Sequence, residues 1–228
     1  MVISTCIFDA YGTLFDVNAA ARDAAAGPGN EVLAKIWPSL AADWRAKQLQ
    51  YTWLRAVAGE HVDFWQVTQD GLDWAMEAAG LGDAALREQL LALYWELPAY
   101  GEVPDMLAAL KAAGLATGIL SNGSPDMLAG AVASAGIGDR LDAVLSVESV
   151  GVFKPARAVY DMVGKRFGCA PGEVLFVSSN GWDVAAAAGY GFRTVWVNRA
   201  KQPMDRLAHR PQHILGDLRG IPDLAGRL

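Results

Sequence analysis

An aspartate directly after an apolar strand is the first residue of this chain whose position suggests chemistry. Residues 2–8 are mostly apolar, and Asp9 follows them at the start of a turn that contains Gly12 and Thr13. Open α/β folds bind ligands at the carboxyl edge of a parallel sheet. A carboxylate there is ionised at neutral pH and can act as a covalent nucleophile. Turn chemistry alone also allows a second interpretation, in which Asp9 only caps the turn.

Three further groups of polar residues follow predicted strands or strand-like stretches. They are Ser121 and Asn122, then Lys154, and then Ser178, Asn180 and Asp183. Pro155 begins a predicted helix, so the Lys154 ammonium can reach back towards Asp9 and offset negative charge there. The alternative interpretations are a surface lysine before a helix and, for Asp183, an acid favoured by the helix dipole. Since parallel strands end at one edge of a sheet, we expect all four groups to converge on one crevice.

Two kinds of sequence pattern divide the chain. Residues 16–98 have apolar residues at helical spacing and no good strand, whereas strands and helices alternate from residue 101. The alternation predicts an α/β fold with a doubly wound parallel sheet. We therefore expect a core of residues 1–15 and 99–228, with a helical cap of residues 16–98 inserted after the first strand. The predicted later strands are 115–120, 143–146, 174–177, 194–197 and 213–215, and the predicted helices are 29–57, 64–79, 83–97, 103–113, 125–135, 156–167 and 183–188.

Composition excludes several classes of function. The 228 residues are 53% hydrophobic, enough for a well-filled interior, and the net charge of −6 argues against nucleic acid or an anionic membrane as partner. The two cysteines, Cys6 and Cys169, cannot form a disulfide framework, which favours a reducing compartment. With no targeting segment or membrane span evident, we expect a cytoplasmic protein. No GxSxG or GxGxxG motif occurs, which argues against a serine hydrolase or a dinucleotide-binding protein.

The four polar groups occur in an order that resembles the haloacid dehalogenase superfamily. Tyr11, the segment 178–183 and the cap segment 44–55, which contains Arg45, are similar to the L-2-haloacid dehalogenases within it. The resemblance covers essentially the whole chain. It implies a Rossmann-like core with a helical cap and hydrolysis of short-chain L-2-haloalkanoic acids to D-2-hydroxyalkanoic acids. The reaction would pass through an ester on Asp9 and invert C2, which makes the protein a hydrolase of carbon–halide bonds.

Tyr11 indicates the leaving group. Phosphatases that resemble this core have a second aspartate two residues after the nucleophile, and it protonates the departing alkoxide. This chain has Tyr11 there. A halide leaves without a proton, because it is the conjugate base of a strong acid, whereas an alkoxide needs a general acid. The substitution therefore favours carbon–halogen cleavage, with Tyr11 as part of the pocket wall.

We expect no metal and no other cofactor. Phosphoryl transfer usually needs Mg²⁺ held by several carboxylates. Ser178, Ser179 and Asn180 stand at the strand end where a metal-binding acid would be expected, which leaves Asp183 as the nearby carboxylate.

The resemblance also implies a role for each site residue. Thr13 and Ser178 would orient Asp9, and Asp183 would contact Lys154 and help to orient or activate the hydrolytic water. Ser121 would hold the substrate carboxylate, while Asn122 and Trp182 would contact the halide. The remaining catalytic candidate is Asn180, and the full set of substrate and halide contacts is Tyr11, Arg45, Leu49, Phe64, Ser121, Asn122, Tyr160 and Trp182.

The sequence leaves two other functions open, and it does not fix the oligomeric state. One is a Mg²⁺-dependent phosphatase on the same core, and the other is a noncatalytic binding protein. The partners expected for a dehalogenase are a 2-haloacid and water, and relatives commonly form homodimers. Ala46 follows Arg45 where many relatives have glutamine, so the sequence leaves the halogen and the chain length of the substrate open.

Overall fold

A six-stranded parallel sheet forms the centre of the computed structural model, which describes residues 2–228. The strand order is β3-β2-β1-β4-β5-β6, and each neighbouring pair is parallel. This strand order confirms the predicted doubly wound α/β fold. The order reverses between β1 and β4, which is where such folds form their ligand-binding crevice. The strands are β1 (Thr5–Phe8), β2 (Ala116–Ser121), β3 (Ala143–Ser146), β4 (Val174–Ser178), β5 (Arg193–Val197) and β6 (His213–Leu215).

Residues 16–98 form four helices that pack on one another. The long second helix buries Leu33, Leu40, Trp44 and Gln48 at helical spacing against its neighbours. Among these helices, the Gln48 side-chain amide donates to Thr68 Oγ1 at 3.0 Å, so this buried donor has a hydrogen-bond partner. The helices are α1 (Ala19–Ala25), α2 (Glu31–Ala58), α3 (Phe64–Ala78) and α4 (Ala84–Trp95).

The remaining helices alternate with the strands along the chain. They are α5 (Val103–Ala112), α6 (Pro125–Ser134), α7 (Arg157–Phe167), α8 (Gly181–Tyr190) and α9 (Ile221–Ala225). Within residues 2–228, no helix has the length and apolar character to cross a membrane.

The chain passes from the sheet to helices α1–α4 and back again through two short segments, and backbone hydrogen bonds pair these two segments. Asp16 N donates to Pro98 O and Tyr100 N donates to Leu14 O, each at 2.9 Å, and Phe15 forms an antiparallel bridge with Ala99. We keep residues 16–98 as the proposed cap and residues 1–15 and 99–228 as the proposed core.

Two local expectations were wrong. The first strand is shorter than the predicted 2–8: it covers Thr5–Phe8, and before it Ser4 makes backbone hydrogen bonds with Glu173 and Ala116. The stretch before Lys154 is a loop rather than a strand, because a 3-10 turn at Val147–Ser149 and a left-handed Gly151 (φ +65°) turn the chain away from the sheet. Lys154 therefore comes from a loop.

Candidate active site

The turn after β1 projects Asp9 from the end of the sheet. Its backbone N donates to Val177 O at 2.9 Å, which ties the residue to β4 after the strand has ended. Gly12 follows with φ +87°, a conformation that suits glycine, and a Cβ there would lie 3.1 Å from Ser179 Oγ. The tight turn therefore returns Thr13 to the carboxylate of Asp9.

The two oxygens of the Asp9 carboxylate have different surroundings. Oδ2 accepts hydrogen bonds from Asn180 Nδ2 at 2.9 Å, Thr13 Oγ1 at 3.1 Å and Ser178 Oγ at 3.4 Å. Oδ1 accepts from Lys154 Nζ at 3.1 Å. Three donors thus fix one oxygen, while the other has a single recorded partner and a lone pair available for attack.

The Lys154 ammonium lies between two carboxylates in the protein interior. Its Nζ is 3.1 Å from Asp9 Oδ1 and 2.8 Å from Asp183 Oδ2, and its side chain is 1% exposed. Burial alone would lower the pKa of Lys154, but the charges of Asp183 and Asp9 outweigh burial and raise it. Lys154 is therefore a fixed cation beside Asp9.

Asp183 lies behind this cation, away from the reaction cavity. It is fully buried, and its Oδ1 accepts from Tyr160 Oη at 2.7 Å. Burial, followed by the charge of Asp9, raises the pKa of Asp183, although Lys154 opposes the shift. Tyr160 is thus not among the residues that line the cavity, contrary to the sequence-based expectation, because its hydroxyl points from α7 to the rear of Asp183.

We expect Tyr160→Phe to lower kcat about ten- to hundredfold while KM changes less than about twofold, since a hydrogen bond to a charged group contributes about 1.5–3 kcal/mol. The substitution leaves Asp183 with fewer partners to hold its orientation towards Lys154, but it removes no cavity contact. Steady-state kinetics measures both constants. A larger change in KM than in kcat would instead indicate that Tyr160 contacts the substrate.

A small cavity adjoins Asp9 under the cap. The centre of a water molecule can occupy about 10 Å³ of this cavity, so the cavity has room for about one water. The cavity therefore has room for far less than a haloacid in this closed arrangement. It is lined by Asp9, Tyr11, Arg45, Leu49, Phe64, Ser121, Asn122, Lys154, Asn180 and Trp182.

Aromatic rings form one wall of the cavity. Tyr11 is stacked on Tyr94 with centroids 5.8 Å apart, and Phe64 lies 5.8 Å from Tyr11 on another side. Burial, then the neighbouring Tyr94 and Asp9, raises the pKa of Tyr11 well above its usual range. Tyr11 is therefore a neutral phenol beside the nucleophile. Tyr94 has no sequence motif and was not foreseen, and helical spacing in α4 indicates only that it is buried.

Arg45 brings a positive charge from α2 to the edge of the nucleophile turn. Its Nη2 donates to Tyr11 O at 3.2 Å and to Asn180 Oδ1 at 3.3 Å. On the opposite side, Asn122 Oδ1 accepts from the backbone N of Lys154 at 2.9 Å. Through these contacts the cap, the end of β2 and the loop that carries Lys154 meet beside Asp9.

The side chains at this point do not suit a divalent cation. Metal sites of this type use several carboxylates, but here the Lys154 ammonium already occupies the space between Asp9 and Asp183. Across the described residues, no three His, Cys, Asp or Glu side chains form a group that could hold a metal ion. Metal independence remains a prediction.

Comparison with known proteins gives consistent matches over the full length. Residues 3–191 match the family model of haloacid dehalogenase-like hydrolases. The chain is 41% identical to (S)-2-haloacid dehalogenase 1 of Pseudomonas sp. (strain CBS-3), over 99% of this chain and 98% of that protein.

Solved structures give the same relation. The fold is similar to that of L-2-haloacid dehalogenase RSc1362, with a TM-score of 0.92 and 38% identity over 99% of both chains. It is also similar to L-2-haloacid dehalogenase from Xanthobacter autotrophicus with chloropropionic acid covalently bound, with a TM-score of 0.88 and 37% identity over 98% of both chains.

Proposed function

Because the chain belongs to the haloacid dehalogenase-like hydrolases and, within them, to the L-2-haloacid dehalogenases, we propose that it hydrolyses short-chain (S)-2-haloalkanoic acids to (R)-2-hydroxyalkanoic acids. The observation that carries this proposal is the Asp9 carboxylate, which has one oxygen held by three donors and the other beside a buried ammonium. This arrangement suits a carboxylate that attacks carbon and then remains esterified.

In the first step, Asp9 Oδ1 attacks C2 of the haloacid from the side opposite the halogen. A C–O bond forms, the C–X bond breaks and the halide leaves with its electron pair, so C2 is inverted. We place Arg45, Asn122 and Trp182 around the departing halide and Ser121 at the substrate carboxylate. The positive charge of Arg45 offsets the repulsion between two anions that must approach each other.

In the second step, water attacks the carboxyl carbon of the Asp9 ester. Oδ2 then carries the developing negative charge, and the donors already directed at it are Thr13, Ser178 and Asn180. Preorganised donors of this kind stabilise a tetrahedral intermediate. We assign Asp183 an indirect part in this step: it is buried behind Lys154, whose ammonium it holds in place beside the ester, and it helps to orient the water through that ammonium. Collapse of the intermediate breaks the bond between the Asp9 carboxyl carbon and the ester oxygen. One proton of the attacking water goes to that departing oxygen and the other goes to solvent, which restores the Asp9 carboxylate and releases the hydroxy acid.

A single turnover in ¹⁸O-labelled water tests this route. With enzyme in excess over L-2-chloropropionate, we expect ¹⁸O in the peptide that contains Asp9 and unlabelled oxygen in the new hydroxyl group, because that hydroxyl oxygen comes from the carboxylate. Mass spectrometry of the digested protein and of the lactate measures both. Label in the lactate alone would show that water attacks C2 directly.

We propose that the protein is located in the cytoplasm and that it forms a homodimer. Two free cysteines suit a reducing compartment, and burial raises the pKa of the Cys6 thiol to about 12, so this thiol is unreactive. Support for a dimer comes from the apolar side chains exposed near the end of α2, which are Trp53, Leu54 and Val57.

A further inference from the structure

A histidine–glutamate contact outside the reaction cavity joins the cap to the core. His61, in the loop between α2 and α3, has its Nε2 3.0 Å from Glu148 Oε2 in the 3-10 turn after β3. Within residues 2–228, no other ion pair connects residues 16–98 with residues 99–228. Arg45 also crosses this boundary, but it donates to neutral oxygens of Tyr11 and Asn180 rather than to a carboxylate.

The pair lies beside two segments that form the cavity. The His61 ring packs on Phe153 with centroids 4.6 Å apart, and Phe153 directly precedes Lys154. Phe64, three residues after His61, packs on the same Phe153 ring and lines the cavity. His61 and Glu148 do not line the cavity. Any effect they have on the reaction must act through the positions of the neighbouring segments.

The closed cavity requires the cap to move during turnover. Its space of about 10 Å³ corresponds to about one water molecule. A haloacid must therefore reach Asp9 while the cap and core are apart and be enclosed afterwards. Contacts that cross the boundary determine how strongly the enclosed complex is favoured.

The hydrogen bonding of the pair suits a contact that opens and closes. His61 Nδ1 and Glu148 Oε1 are both buried and have no partner in the closed arrangement. Opening returns both atoms to water, where they find partners, so closing the contact carries a cost and the contact remains reversible.

We propose that His61 and Glu148 form a latch that holds the cap closed over bound substrate, with His61 as a positioning residue. The proposal rests on the proposed dehalogenase function, since it concerns the same cavity. Losing the latch lowers the closing equilibrium constant of the bound enzyme, which weakens net binding of substrate, while most of the saturated complex still closes. The latch therefore affects KM rather than kcat.

The test uses Glu148→Gln, which removes the charge at nearly constant volume, and His61→Phe, which keeps a ring against Phe153. For L-2-chloropropionate we expect KM to rise about three- to tenfold in each variant, with kcat within about twofold of the parent, as fits one partly buried pair. The double variant should show no larger rise than the greater single effect, because both substitutions remove one interaction. Asp70→Asn is the control, since it breaks a cap-internal pair with Arg55 of similar exposure.

Hydrogen exchange separates failure of the latch from failure of the function. Without substrate, backbone amides of residues 59–63 should exchange faster in Glu148→Gln and His61→Phe than in the parent or Asp70→Asn. A parent that releases no halide but shows this exchange pattern would contradict the dehalogenase function and leave the latch supported. An active parent whose variants match it in KM and exchange, or additive effects in the double variant, would overturn the latch.

Discussion

Asp9→Asn is expected to reduce halide release by a factor of about 10⁴ or more, which is the scale of losses when a covalent nucleophile is removed. An amide oxygen is a far weaker nucleophile than a carboxylate, so the ester with C2 does not form. The three donors around Oδ2 stabilise the second step and cannot replace the missing attack. Halide release from L-2-chloropropionate, followed with an ion-selective electrode, measures the loss.

The Asp9→Asn protein should remain folded, so the loss can be attributed to chemistry. The Lys154 ammonium keeps Asp183 as its counter-ion at 2.8 Å, and asparagine fills nearly the same volume as aspartate. Asp105→Asn, on the surface of α5, is the matched control and should retain full activity. If Asp9→Asn kept substantial halide release, a noncovalent route or a different nucleophile would be required.

The sheet could be predicted because each of its strands carries a local signal. Five predicted strands lie within one or two residues of β2–β6, since short apolar runs between helical segments are read from neighbouring residues alone. The path before Lys154 was not predictable in this way. Apolar residues there fill a loop, and the turn at Gly151 depends on how β3 and α7 connect.

The residues of the candidate site also differ in whether the sequence could predict their positions. Asp9, Lys154 and Asn180 lie at motif positions, and the order of these motifs, through its resemblance to the family, predicted that they lie near one another. The position of Tyr160 depended on which side of Asp183 faces α7, and the stacking of Tyr94 under Tyr11 depended on how α4 packs against the β1 turn. Helical periodicity indicates that both tyrosines are buried, but it cannot tell which neighbour each one meets.

Lys154→Met is expected to lower kcat about 10³-fold, the scale seen when a preorganised charge is lost from an active site. It should also lower the free energy of unfolding by about 3–5 kcal/mol at neutral pH, because removing one partner leaves buried charges uncompensated. Halide release and urea unfolding measure the two effects. Lys111→Met, which breaks a surface pair with Asp142, should cost less than about 1 kcal/mol and leave activity unchanged.

The pH dependence of that stability loss distinguishes electrostatics from packing. In the parent, the raised pKa of Lys154 gives stability that is complete below the unfolded pKa of about 10.4 and is lost as pH rises through the folded value. In Lys154→Met, Asp183 loses the charge that opposed the effect of burial, so its pKa rises further above the unfolded value of about 3.9. A carboxyl group with a raised folded pKa binds its proton more tightly in the folded state, so lowering the pH through that value restabilises the variant relative to the parent. The difference in unfolding free energy should therefore shrink as the pH is lowered from neutral towards the unfolded carboxyl value of about 3.9, whereas a difference that stays constant would mean that Lys154 stabilises the core by packing alone.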